Sequence, residues 1–130
     1  MADKQAPATI LIVEDEQALN EAYQMILTKS GYDVHSAYDG QEALEITATI
    51  EPTLILLDLR MPRMDGIEFL QRYNLKEEHP AVKVIVFSNY DMQKEIDEAY
   101  KYGAERYILK AWASPKELLQ VVENTLQSEM

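Results

Sequence analysis

Leu54-Ile55-Leu56-Leu57-Asp58-Leu59-Arg60-Met61-Pro62-Arg63-Met64-Asp65-Gly66 is the stretch whose reading decides the architecture. Its first four residues form an unbroken aliphatic run of strand length. A strand with one wet face would alternate apolar and polar residues; this one suits a strand buried on both faces of a parallel sheet. The run ends on a carboxylate and passes into loop chemistry, where Pro62 fixes the backbone and Gly66 permits a tight entry to the next helix. Three further runs share the pattern: Ile10-Leu11-Ile12-Val13, Val84-Ile85-Val86-Phe87 and Tyr107-Ile108-Leu109. A fifth strand over 33–37 has the mixed character of a sheet edge.

Helical patterns fill the intervals. Leu19, Ala22, Tyr23 and Ile26 recur at i, i+3, i+4 and i+7, as do Leu118, Leu119, Val122 and Leu126 near the C-terminus, each set making one apolar stripe. Ser114-Pro115-Lys116-Glu117 places a cap, a proline at the first helical position and a capping-box glutamate in order. Asp39-Gly40-Gln41-Glu42 and Asp65-Gly66-Ile67-Glu68 follow the same logic, and Gly31 and Gly103 fall where helices should end. The expected order is β 8–13, α 17–29, β 33–37, α 40–49, β 54–58, α 66–75, β 82–88, α 91–101, β 106–109 and α 114–127. Strict alternation of this kind gives an α/β domain, a parallel sheet with helices on both faces and right-handed crossovers. A tail over 1–7 and one domain over 8–128 are expected, with no repeat or linker.

Composition narrows the chemistry. At 130 residues and 14.9 kDa the chain is one domain's worth, able to bury a core without staples. It has no cysteine, which excludes a disulfide scaffold, a thiol nucleophile and a cysteine-ligated metal. A formal charge of −11 with no basic run argues against direct binding of nucleic acid or anionic lipid. The apolar runs are far short of a membrane span and Met1-Ala2-Asp3-Lys4-Gln5 is no signal peptide, so a cytoplasmic location is expected.

In an open parallel sheet, function collects at the C-terminal ends of the strands. Those ends read Glu14 and Asp15, then Asp58, Ser88 and Lys110. Each alone has a plainer explanation: an acidic helix start, a turn former, a solvated lysine. Together they are three carboxylates, a hydroxyl and an ammonium on strand ends that converge. Two carboxylates ~4 Å apart repel by roughly 4 kcal/mol at an effective dielectric near 20, so three demand a proton or a cation. Hard oxygens without imidazole or thiolate suit Mg²⁺. A metal, Lys and Ser beside a carboxylate nucleophile are what an incoming phosphoryl group requires. No Walker loop or Gly-x-Gly-x-x-Gly is present, which argues against a nucleotide site. His35 and His79 lack partners at ligand spacing and are expected at the surface or the sheet edge.

The residues Ile12-Val13-Glu14-Asp15-Glu16, Asp58-Leu59-Arg60-Met61-Pro62-Arg63-Met64-Asp65-Gly66, Val86-Phe87-Ser88 and Tyr107-Ile108-Leu109-Lys110 together resemble the receiver (CheY-like) domain of two-component response regulators, over about residues 8–127. The resemblance implies a doubly wound, flavodoxin-like (βα)5 fold of strand order 2-1-3-4-5. It makes Asp58 the phosphoacceptor, fed by a sensor histidine kinase. Glu14, Asp15, Asp58 and the backbone carbonyl of Arg60 become the Mg²⁺ ligands. Ser88 and Lys110 would hold phosphoryl oxygens, and Ser88 with Tyr107 would form the switch. The readout would be the surface of the fourth helix, fifth strand and fifth helix, carrying Lys94, Asp97, Lys101, Lys116 and Glu117. It would be offered to an effector, a phosphotransfer protein or a second copy of the chain. Two origins stay open, a stand-alone receiver or one excised from a longer regulator with a DNA-binding or enzymatic output domain; the Met1-Ala2-Asp3 start and the polar Gln127-Ser128-Glu129-Met130 favour the first.

The chain departs from the family pattern at two places. Ala111 follows Lys110 where proline, in a cis peptide, is usual; a cis bond here would cost about 3–4 kcal/mol, so a trans bond is expected. Asn89 and Tyr90 follow Ser88 where a small residue is common. With Arg60 they are expected to crowd the mouth of the site, restrict water and lengthen the life of a phosphoryl group. The alternative reading is a Mg²⁺-dependent phosphatase or phosphotransferase with an aspartyl-phosphate intermediate. Such enzymes need an acid–base carboxylate two residues past the nucleophile, where this chain has Arg60, and usually a cap domain.

Overall fold

The four aliphatic runs and the edge strand pair side by side, all parallel, in the order β2-β1-β3-β4-β5. A computed structural model describes residues 7–89, 92–112 and 114–127. Its elements are β1 (Thr9–Val13), α1 (Gln17–Lys29), β2 (Asp33–Ala37), α2 (Gly40–Thr47), β3 (Leu54–Asp58), α3 (Gly66–Tyr73), β4 (Lys83–Ser88), α4 (Gln93–Lys101), β5 (Arg106–Leu109) and α5 (Pro115–Gln127). The doubly wound α/β fold and its strand order are those expected.

The period of two along each strand divides the core. Leu11, Val13, Ile55, Leu57, Val84 and Val86 face one layer with Ala43 of α2, Phe69 and Leu70 of α3 and Ala99 of α4. Ile10, Ile12, Leu54, Leu56, Ile85 and Phe87 face the other with Tyr23 and Leu27 of α1 and Leu118 and Val122 of α5. Both faces of the central strands are dry, which is why their sequence does not alternate. The edge strand β2 is buried only at its last residue.

The helix starts follow the capping signals. The Ser114 hydroxyl accepts the Glu117 N–H and the Glu117 carboxylate accepts the Ser114 N–H, both at 3.2 Å. Asp39 and Asp65 accept the N–H groups of Glu42 and Glu68 at 2.8 and 2.9 Å. Gly31 and Gly103 take the positive φ expected after helices.

Some boundaries differ. The third helix stops at Tyr73 because Asn74 turns left-handed (φ 58°), and a separate helical turn, Leu75–Glu78, drops Leu75 into the core. The second ends at Thr47, whose hydroxyl bonds back to the Ala43 carbonyl at 2.8 Å. Residues 1–6 of the expected tail, Asp91 at the expected start of the fourth helix, and the 128–130 end lie outside the described residues.

Gly66 fixes how closely α3 meets the end of β3. A Cβ there would lie 2.6 Å from the Asp58 carbonyl oxygen and 2.9 Å from the Leu59 Cα. Both are backbone atoms, so relief would require moving the loop. Gly66→Ala is therefore expected to cost roughly 1–3 kcal/mol by urea denaturation. Gly31→Ala meets nothing within 4 Å and should cost about 1 kcal/mol, from its left-handed backbone alone.

Candidate functional site

Parallel register brings the strand ends to one edge: Val13 lies beside Leu57, Asp58 beside Phe87 and Ser88 beside Leu109. Glu14 leaves β1 fully buried, while Asp15 is exposed. The Glu14 backbone is held on both sides, its N–H donating to the Ala37 carbonyl at 3.1 Å and its carbonyl accepting from Asn20 Nδ2 at 2.9 Å. One carboxylate oxygen accepts the Glu16 N–H at 2.8 Å where α1 begins. Asn20 went unread in the sequence. It is wholly buried and also bonds the Ala37 carbonyl at 3.1 Å, clamping β1 to β2. The signal was present, because Asn20 lies three residues before Tyr23 on the buried side of α1.

Asp58 ends β3 almost completely buried. Its Oδ1 accepts the Arg60 backbone N–H at 3.3 Å. Lys110 comes from the end of β5, its Nζ 2.7 Å from Glu14 Oε1 and 3.2 Å from Asp58 Oδ2. The same ammonium lies 5.5 Å from the centre of the Phe87 ring. The Lys110–Ala111 peptide is trans, as expected, and Lys110–Trp112 winds into a 3₁₀ turn. A cavity of about 360 Å³ opens here, lined by Glu14, Asp15, Glu16, Asp58, Arg60, Asn89 and Lys110.

The remaining expected residues stand close behind. Ser88 is fully buried at the end of β4. Tyr107 is half-buried, registers with Val86 and packs on the core layer shared with α2, α3 and α4. Arg60 and Asn89 line the mouth as anticipated, whereas Tyr90 lies outside the described residues. His35 sits on the edge strand, and His79 stacks on Tyr73 with ring centres 4.0 Å apart, both away from the cavity.

Arg63 is a second residue that sequence reading passed over. It holds a left-handed backbone (φ 67°), and its Nε donates to Asp39 at 2.8 Å while Nη2 pairs with the same oxygen. Burial alone would raise the Asp39 carboxyl, but the Glu42 N–H and the guanidinium bring it below its ordinary value. The loop after Asp58 is thereby fastened to the start of α2, where the Gly40 N–H also meets the Met64 carbonyl at 3.1 Å.

Electrostatics set the site's demand. Burial, then the charge of Glu14, push Asp58 from its ordinary 3.8 up to about 7, against the pull of Lys110. Burial likewise raises Glu14 in spite of its Lys110 and Glu16 hydrogen bonds. Desolvation would lower Lys110, but its bond to Glu14 and the charge of Asp58 outweigh it and the ammonium is held protonated. Glu14, Asp15 and Asp58 each offer an oxygen within 4.8 Å of the others. Three carboxylates against one ammonium leave two negative charges, all on hard oxygen donors. The residues present therefore fit a divalent, oxygen-seeking cation such as Mg²⁺.

A doubly wound parallel sheet of order 2-1-3-4-5 whose strand ends gather carboxylates and an ammonium around a shared cavity defines a flavodoxin-like α/β domain. The chain belongs to the response regulator receiver domain family, whose sequence pattern matches residues 10–123. It is 33% identical over 128 residues to the nitrate/nitrite response regulator protein NarL of Escherichia coli K12, covering 97% of this chain and 58% of that protein. It is 36% identical over 118 residues to the probable transcriptional regulator ycf27 of Porphyridium aerugineum, covering 91% and 48% respectively. The chain thus spans about half the length of these curated relatives. Among solved structures it resembles the CheY-like receiver domain protein of Methanospirillum hungatei JF-1, with TM-score 0.86 and 29% identity over 94% of this chain and 95% of that one. The receiver domain of Francisella response regulator 1452 gives TM-score 0.81 and 27% identity over 95% and 99%. Receiver domains of two-component systems in general accept a phosphoryl group, depend on Mg²⁺, and work with histidine kinases and effectors.

The raised Asp58 value makes stability depend on pH. Between pH 4 and 7 the folded chain holds a proton that the unfolded chain releases, so this contribution is full below about pH 4 and lost as pH rises through 7. In chelator at pH 8, Asp58→Asn is expected to raise the unfolding free energy by on the order of 1–3 kcal/mol, a gain that shrinks toward pH 4. Urea titrations of both proteins across that range check it; a gain independent of pH would contradict it.

Proposed function

We propose that Asp58 is the phosphoacceptor of a cytoplasmic signalling switch, charged by the phosphohistidine of a sensor kinase. The observation that carries this is the Lys110 ammonium held between the buried Glu14 and Asp58 carboxylates, all three lining one cavity. An Asp58 oxygen attacks phosphorus in line, the P–N bond breaks, and its electron pair leaves on the imidazole nitrogen. Lys110 is then positioned to pair with a phosphoryl oxygen, exchanging a carboxylate partner for a phosphate one. Glu14, Asp15, Asp58 and the Arg60 carbonyl would hold Mg²⁺, which when bound neutralises charge on the equatorial oxygens. The Arg60 N–H on Asp58 Oδ1 orients the carboxylate.

The Ser88 hydroxyl takes another phosphoryl oxygen, and Tyr107 turns inward beside it. The change is read on the exposed face of α4, β5 and α5, carrying Lys94, Asp97, Lys101, Lys116 and Glu117. Its readers are an effector, a phosphotransfer protein or a second copy. The chain is a switch, not a turnover enzyme: the residue two past Asp58 is Arg60, whose guanidinium bonds Glu95 at 2.7 Å and cannot serve as an acid–base group.

Acetyl phosphate with Mg²⁺ is expected to label the chain with at most one phosphoryl group, and Asp58→Asn or chelator to abolish it, as read by intact-protein mass. Label persisting on Asp58→Asn would sink the assignment. Sustained hydrolysis of p-nitrophenyl phosphate would favour the phosphatase reading. Crowding by Arg60 and Asn89, which line the cavity, predicts a long-lived phosphoryl-Asp58. An Arg60→Ala, Asn89→Ala variant should lose its label several-fold faster, and an unchanged or slower loss refutes the crowding.

A further inference from the structure

The Arg60 side chain sits on a boundary. Its backbone is fixed beside the acceptor by the N–H bond to Asp58, which puts the residue on the edge of the cavity of about 360 Å³. It also lines a larger groove of about 860 Å³ bounded by the β3–α3 loop, α3 and α4. On that side its Nη2 lies 2.7 Å from Oε2 of Glu95, in the first turn of α4. The partners are unequal. Arg60 is 47% exposed and Glu95 23%, and the other Glu95 oxygen, Oε1, is buried without a hydrogen-bond partner. The Glu95 carboxylate thus depends on Arg60, while nearly half of the arginine side chain faces water.

We infer that Glu95 competes with the phosphoryl group for the Arg60 guanidinium, acting as a positioning residue that holds the guanidinium against α4 until Asp58 is phosphorylated. The inference rests on Asp58 being the acceptor. A half-exposed ion pair is weak and easily exchanged. A phosphoryl group brings close to two negative charges and three acceptor oxygens, which a guanidinium engages bidentately. Arg60 therefore moves from Glu95 to the phosphoryl oxygens. Glu95 is left half-buried with neither oxygen paired, a state relieved by shifting the first turn of α4 toward water. One arginine thus couples cover over the phosphoryl group to release of α4 from the acceptor loop.

The test is a double-mutant cycle in the full chain, with beryllofluoride plus Mg²⁺ as the phosphoryl mimic and calorimetry as the readout. Glu95→Gln is expected to tighten beryllofluoride binding threefold or more and to lengthen the half-life of phosphoryl-Asp58 by a similar factor. Arg60→Gln should weaken and shorten them. The double variant should match Arg60→Gln, because Glu95 acts only through the arginine. A gain in affinity cannot arise from damaged folding. Unchanged or weaker binding by Glu95→Gln overturns the inference, as does an equal gain in the Arg60→Gln background. Failure of the wild type to bind beryllofluoride or to label on Asp58 would instead overturn the acceptor assignment.

Discussion

An ammonium between two buried carboxylates is the constraint on which the rest of the structure depends. Glu14 and Asp58 are at most 3% exposed, and carboxylates so placed persist as anions only with positive charge against them. Lys110 supplies one such charge from a strand two places away from β3 in the sheet. The sheet must hold that register, the loop after β5 must turn Lys110 inward, and the start of α1 must support Glu14 from behind. The arrangement is unbalanced: three carboxylates face one ammonium, a deficit of positive charge that a divalent cation can fill.

The fold was legible because each local signal agreed with the next. Unbroken aliphatic runs marked doubly buried strands, and Ser114, Asp39 and Asp65 marked helix starts that the hydrogen bonds bear out. Sequence pattern misjudged places where a single residue's backbone or hydroxyl overrode helical periodicity, at Asn74 and at Thr47. Within the site, the strand-end residues were readable from topology alone. Pairings between distant loops were not. Nothing in the spacing of Asp39 and Arg63 says that they meet, nor that Arg60 reaches Glu95 across thirty-five positions. Such contacts are decided by loop conformation, which local propensity specifies poorly.

Rigidity is distributed unevenly around this site. β3 is buried along its whole length and β1 from Ile10 onward, and the Glu14 backbone is pinned by Ala37 and Asn20. β5 by contrast is exposed at Arg106 and only partly buried along the rest of its length, and the one α4 residue fully within the core is Ala99. Asp58 thus stands on a stiff central platform, while Tyr107 on β5 belongs to the more yielding side. Movement at one end of the sheet can then be transmitted without disturbing the carboxylates.

The position of β1 has a consequence for how the polypeptide is made. It is synthesised first yet lies between β2 and β3. As the nascent chain leaves the ribosome, β1, α1 and β2 can close as a unit, but the far side of β1 waits for β3. Until then Ile10, Leu11, Ile12 and Val13 present a bare hydrophobic flank and unmatched peptide groups, the kind of edge that invites intermolecular pairing. That edge is closed only when Leu54 through Leu57 arrive to pair with it.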